Sequence, residues 1–143
     1  MTASVTDERG TPSSSLRCGM PGGASLGAIA FDCPDPLALA AFYAALMGEE
    51  VGFSTDTFAA FKVNGLWVSM HRVDDYRPPK WPDPDAPQQM HLDLAVDDLD
   101  AGELRAIELG ATKADPQPSP ASWRVMLDPA GHPFCLSPAS SFP

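Results

Sequence analysis

The sequence predicts an α+β fold built from two copies of one unit: a strand, a helix and then three strands. Three observations carry that prediction. Short segments alternate apolar and polar residues with the period of two expected of half-buried strands. Two longer segments read as helices, each opened by an aspartate and closed by a glycine. The elements then recur in the same order in both halves, which marks an internal duplication. The 143 residues, 44% hydrophobic and 20% charged, suffice for one well-cored domain and are short for two. The expected organisation is a tail over 1–25, a first module over 26–73, a linking loop over 74–89, a second module over 90–138 and a short tail over 139–143.

In the first module, Leu26 to Asp32 alternates as a strand. Asp35 is placed to cap a helix, with Pro36 at its first position, where a missing N–H costs nothing. Leu37 to Met47 is that helix and Gly48 its stop, with Leu37, Ala40, Ala41, Ala44 and Ala45 expected on the packing side and Phe42 and Tyr43 as packing residues. Strands follow at Glu50 to Ser54, Phe58 to Val63 and Leu66 to Val73. Asn64-Gly65 between the last two is a hairpin signal, since both residues tolerate positive φ. In the last strand Trp67, Ser69 and His71 share a face.

Asp74 to Gln89 holds Pro78, Pro79, Pro82, Pro84 and Pro87, which remove the donors that a helix or sheet needs. It is a linker between the modules or the rim of a site, and Tyr76, Arg77 and Trp81 give it chemistry either way. The pattern then restarts. His91 to Val96 is a strand with His91, Asp93 and Ala95 on one face; Asp98 caps a helix over Leu99 to Leu109, and Gly110 ends it. A short strand over Ala111 to Ala114, a Pro- and Ser-rich turn, a strand over Trp123 to Leu127, the turn Asp128-Pro129-Ala130-Gly131 and a strand over His132 to Ser137 complete the copy. Aligning the halves sets Ala28 against His91 and Ser69 against Cys135.

The 19 acidic against 9 basic residues, a formal charge of -10, argue against nucleic acid and anionic membranes as partners. No apolar run approaches the roughly 18 residues of a spanning helix, and the N-terminus lacks a basic start followed by an apolar stretch, so a cytoplasmic location is expected. Cys18, Cys33 and Cys135 are odd in number and widely spaced, as reduced thiols are.

The inward face of the His91 strand is the chemical centre of this reading. His91 and Asp93 are candidate catalytic residues, with Asp93 orienting the imidazole or acting as a base raised by burial. Trp67, Ser69, His71, Tyr76, Trp81, Asp32 and Arg124 are candidate ligand contacts; Trp67, Trp81 and Phe134 together would make an aromatic cleft able to stack a planar molecule. His132, facing opposite to Cys135, reads as a structural or exposed histidine.

Asp35-Pro36, the stretch Gln89-Met90-His91-Leu92-Asp93-Leu94-Ala95-Val96-Asp97-Asp98, Leu109-Gly110-Ala111 and Asp128-Pro129-Ala130-Gly131-His132-Pro133-Phe134-Cys135 occur here in an order and spacing that resemble the vicinal oxygen chelate superfamily, and more narrowly its bacterial glyoxalase-like proteins. The resemblance runs from about Leu26 to Pro138. It implies two βαβββ modules whose curved sheets enclose a cleft, the glyoxalase/bleomycin resistance/dioxygenase fold, with helices outside and often a homodimer. It also implies four metal-ligand slots, which fall on Ala28, Ser69, His91 and Cys135. Only His91 is of the usual ligand type. His91 with His71 and Cys135 is the set that would suit zinc, the most plausible divalent metal, while no cofactor is the first expectation. The resemblance therefore implies a small-molecule-binding protein with an eroded metal site, holding a planar aromatic metabolite between the modules. The alternative is a lyase or isomerase that uses this metal set or a His91-Asp93 acid/base pair. Genuine glyoxalase I activity is not expected, because the full ligand set and its carboxylate base are missing.

Overall fold

A computed structural model describes residues 24–143. The expected tail over 1–25, with Cys18, lies outside the described residues except for Ala24 and Ser25. The first module contains β1 (Ala28–Cys33), α1 (Pro36–Leu46), β2 (Val51–Ser54), β3 (Phe58–Val63) and β4 (Leu66–Arg72). The second contains β5 (Leu92–Val96), α2 (Leu99–Leu109), β6 (Thr112–Lys113), β7 (Arg124–Leu127) and β8 (Pro133–Pro138), followed by a short 3-10 turn over Ala139–Ser141.

Each module is a four-stranded sheet, ordered β1-β4-β3-β2 in the first and β5-β8-β7-β6 in the second. The first strand of each runs parallel to the last, and β1 pairs Ala30 with Ser69 just as β5 pairs Asp93 with Cys135. The register of the duplication thus holds at the level of individual residues.

Local chemistry shapes both helices. The Asp35 carboxylate accepts the Ala38 N–H at 3.0 Å, and Asp98 accepts the Ala101 N–H at 2.7 Å, each satisfying a donor that the first turn leaves unpaired. Gly48 and Gly110 follow with φ of 73° and 116°, and Asn64 and Gly65 turn the β3–β4 hairpin with φ of 49° and 81°. The buried stripe of α1 is Pro36, Leu39, Ala40, Tyr43 and Ala44, flanked by Phe42. Leu37 and Ala41, expected on that stripe, face outward instead. The helix begins one residue earlier than its apolar run suggests, and the stripe follows positions three and four apart from Pro36.

The modules meet through one continuous core. Leu39, Tyr43, Phe61 and Met70 of the first join Ala106, Met126, Phe134 and Leu136 of the second. Phe134 meets Phe42 and Tyr43 edge-on at 5.9 Å, so it belongs to this core and does not furnish an aromatic cleft. A buried polar contact crosses the same boundary: the Tyr43 hydroxyl donates to Asp128 at 2.8 Å. Replacing Tyr43 by Phe leaves the ring packing and removes only that bond. We expect the Tyr43→Phe protein to lose about 1–3 kcal/mol of unfolding free energy in urea titrations. An unchanged midpoint would show that the contact does not hold the modules together.

Candidate functional site

In β1 the odd-numbered residues Ile29, Phe31 and Cys33 turn toward the helix side, while Ala28, Ala30 and Asp32 are exposed on the other. Cross-strand pairing extends that face through Trp67, the buried Ser69 and His71 to Lys62, the buried Ala60 and Phe58. The His71 Nε2 lies 3.3 Å from Ser69 Oγ, and Phe58 meets the His71 ring edge-on. Trp67, 42% exposed, lies under the Lys62 ammonium at 5.6 Å from the ring centre.

The corresponding face of the second module holds a different group. His91, immediately before β5, places Nε2 3.5 Å from Asp93 Oδ1. One ligand-type atom from each of His91, Asp93 and Cys135 lies within 4.8 Å of the others. Burial first, then the Asp93 charge and a hydrogen bond to Asp93, push the Cys135 thiol up to about 11. His71 is not part of this group; Asp93 stands where the expected His91–His71–Cys135 set would have put it, because His71 belongs to the other sheet. An imidazole, a carboxylate and a thiol would be a suitable donor set for zinc once the thiol has lost its proton.

A cavity of about 640 Å³ lies between the modules, along the edge of β1. The free edge of β1 forms one wall, through Ile29, Ala30, Phe31 and Asp32. The loop supplies a second through Tyr76–Pro79 and Ala86–Met90, and His91, Leu92 and His132 close it. Gly27 and Cys33 direct their carbonyls at β4, so the alternating Ala30 and Asp32 direct their backbone groups at the open edge, toward the cavity.

Of the sequence candidates, Asp32, Tyr76 and His91 line this cavity, whereas Trp67, Ser69, His71, Trp81, Asp93 and Cys135 are not among its lining residues. Arg124 is occupied elsewhere. Its guanidinium bonds Asp100 at 2.5 Å and Glu103 at 2.7 Å, as well as the Leu99 and Pro120 carbonyls, tying α2 to β7. His132 is the residue that sequence reasoning missed. It does face opposite to Cys135, but that side opens at the β1 edge, where its ring meets Phe31 edge-on at 5.3 Å.

Burial lifts the Cys33 thiol to about 11, and burial together with the Asp128 charge raises Tyr43 and Tyr76 above the ordinary phenol value. A raised thiol value means that the unfolded chain ionises first, so the stability these thiols contribute is fully present below pH 9 and is lost as pH rises toward 11. Urea midpoints of the wild type should fall across that window. A variant carrying Cys33→Ala and Cys135→Ala should show a shallower fall, and a flat wild-type midpoint would contradict the assignment.

Residues 28–137 match the family model of the glyoxalase-like domain. Comparison with curated proteins gives no match. Among solved structures, the chain is similar to a glyoxalase/bleomycin resistance protein/dioxygenase family enzyme from Burkholderia phytofirmans PsJN, with a TM-score of 0.62 and 18% identity over 81% of this chain and 99% of that one. It is also similar to the fosfomycin resistance protein FosX from Mesorhizobium loti, with a TM-score of 0.58 and 18% identity over 82% and 92%. A third is the bleomycin-binding protein of Streptomyces verticillus in complex with copper(II)-bleomycin, with a TM-score of 0.50 and 18% identity over 80% and 97%. At such identities the likeness is one of fold.

Proposed function

The chain belongs to the glyoxalase-like domain family of the vicinal oxygen chelate superfamily, and from that premise we propose that it is a cytoplasmic small-molecule-binding protein that holds its ligand in the cavity between the modules. The observation that carries this reading is the cavity itself. At about 640 Å³ it is in the size range of drug-like ligand sites, and it combines apolar walls with a few convergent polar groups. Ile29, Phe31, Pro79 and Met90 supply apolar contact, and Asp32, Tyr76, His91 and His132 supply hydrogen bonding. The Phe31, Tyr76 and His132 rings and the loop prolines favour a planar aromatic guest. One fold relative binds bleomycin, which supports binding as a use of this scaffold.

A screen of planar aromatic compounds by calorimetry should yield a ligand whose affinity falls at least about tenfold in Asp32→Ala and in His91→Ala, each a loss of roughly 1.4 kcal/mol. Trp67→Ala should bind as the wild type does. The reverse pattern would move the ligand onto the open face of the first sheet. That face also supports a homodimer: Phe53 is 56% and Trp67 42% exposed, an aromatic surface that a second copy would cover.

The His91–Asp93–Cys135 group favours a second reading, a lyase or isomerase in which these residues hold a divalent metal. Such an ion would supply Lewis acidity. Without metal, His91 and Asp93 are close enough to move a proton as a pair. Metal analysis of protein purified without chelators or an affinity tag separates the readings. Near-stoichiometric zinc that disappears in His91→Ala would favour the enzyme; metal-free protein that still binds its ligand would retire the metal-dependent route.

A further inference from the structure

The 74–89 loop meets the second module at the turn Asp128–His132. The Tyr76 hydroxyl lies 2.8 Å from the Ala130 carbonyl oxygen and 3.1 Å from His132 Nε2. Gly131, with φ of 90°, approaches Pro78 so closely that an added Cβ would sit 2.9 Å from the proline Cβ. Behind His132, Asp128 is buried and receives four donors: the Ala130 and His132 N–H groups on Oδ1, and the Tyr43 hydroxyl and His132 Nδ1 on Oδ2.

Counting hydrogens at this junction gives two states. Ala130 O can only accept, and Nδ1 facing a carboxylate carries a proton. When the His132 ring is neutral, Nε2 is therefore bare, and the single Tyr76 hydrogen must choose between Ala130 O and Nε2. When the ring is protonated, Nε2–H donates to the Tyr76 oxygen and the Tyr76 hydrogen goes to Ala130 O. One proton on His132 thus converts one loop-holding hydrogen bond into two.

We propose that His132 is a proton-operated latch on the loop that walls the cavity, tightening it when the ring is charged and loosening it when the ring is neutral. The groups around the ring from each neighbouring element are Asp128 of its own turn, Tyr43 of α1, Asp32 and Cys33 of β1, and Tyr76 of the loop, with Arg77 and His91 on the cavity wall. That the latch controls ligand entry rests on the cavity being the binding site; the latch itself is tested without ligand.

The test uses the whole protein across pH 5 to 8, where imidazoles change charge. Nuclear magnetic resonance of the ring gives the midpoint at which His132 titrates. Mass spectrometry follows tryptic cleavage after Lys80, a loop site, and the rate is normalised at each pH to an unstructured peptide with the same cleavage sequence. Losing one hydrogen bond should speed release of the loop roughly five-fold. Wild-type cleavage should therefore rise about that much with the midpoint of the His132 ring. In Tyr76→Phe, which keeps the ring packing, and in His132→Gln, which cannot titrate, the normalised rate should be flat with pH. A flat wild type while His132 titrates, or a Tyr76→Phe protein that still follows pH, overturns the latch. Either result stands whether or not a cavity ligand is ever found.

Discussion

The Asp128 carboxylate is the point on which the two halves of this protein depend. A carboxylate removed from water is tolerated only if its lone pairs are taken up, and here four donors take them. Two come from its own turn, which shapes the start of β8. One comes from α1 of the other module, and one from a histidine that in turn touches the linking loop. Turn geometry, module docking and loop position are therefore set by one buried charge. The surrounding aromatic contacts of Phe31, Phe42, Tyr43 and Phe134 add area without direction, and the carboxylate adds the direction.

This arrangement leaves the first strand of each module at a sheet edge, and β1 meets the second module across the cavity. An edge strand normally needs a cover. Here the cover is the proline-rich loop, whose missing donors suit it to stand beside a strand without pairing to it. The result is a compartment lined by a strand edge, proline rings and ionisable side chains.

Much of the fold was legible because its signals are local. Asp35, Asp98, Gly48, Gly110 and the Asn64-Gly65 pair act within a few residues of themselves, and the duplication fixes the relation between the two sheets. The alternation that places His91 with Asp93, and Trp67 with Ser69 and His71, also reads directly from the chain. The site was legible only in part. Alternation assigns residues to sheet faces, whereas the cavity lies along an edge, where Ile29 and Phe31 contribute beside Ala30 and Asp32. His132 was therefore placed on the correct side but given no role. Arg124 could not be read either, since its partners Asp100 and Glu103 come near it only when α2 packs on β7.

The matched registers of β1 and β5 have one more consequence. Ala28, Ala30 and Ser69 occupy in the first module the places that His91, Asp93 and Cys135 occupy in the second. One chain therefore carries the same scaffold twice, once with an imidazole, a carboxylate and a thiol and once with two alanines and a serine. The sparser copy is an internal reference, and it marks three positions at which the chemistry of one half can be written into the other.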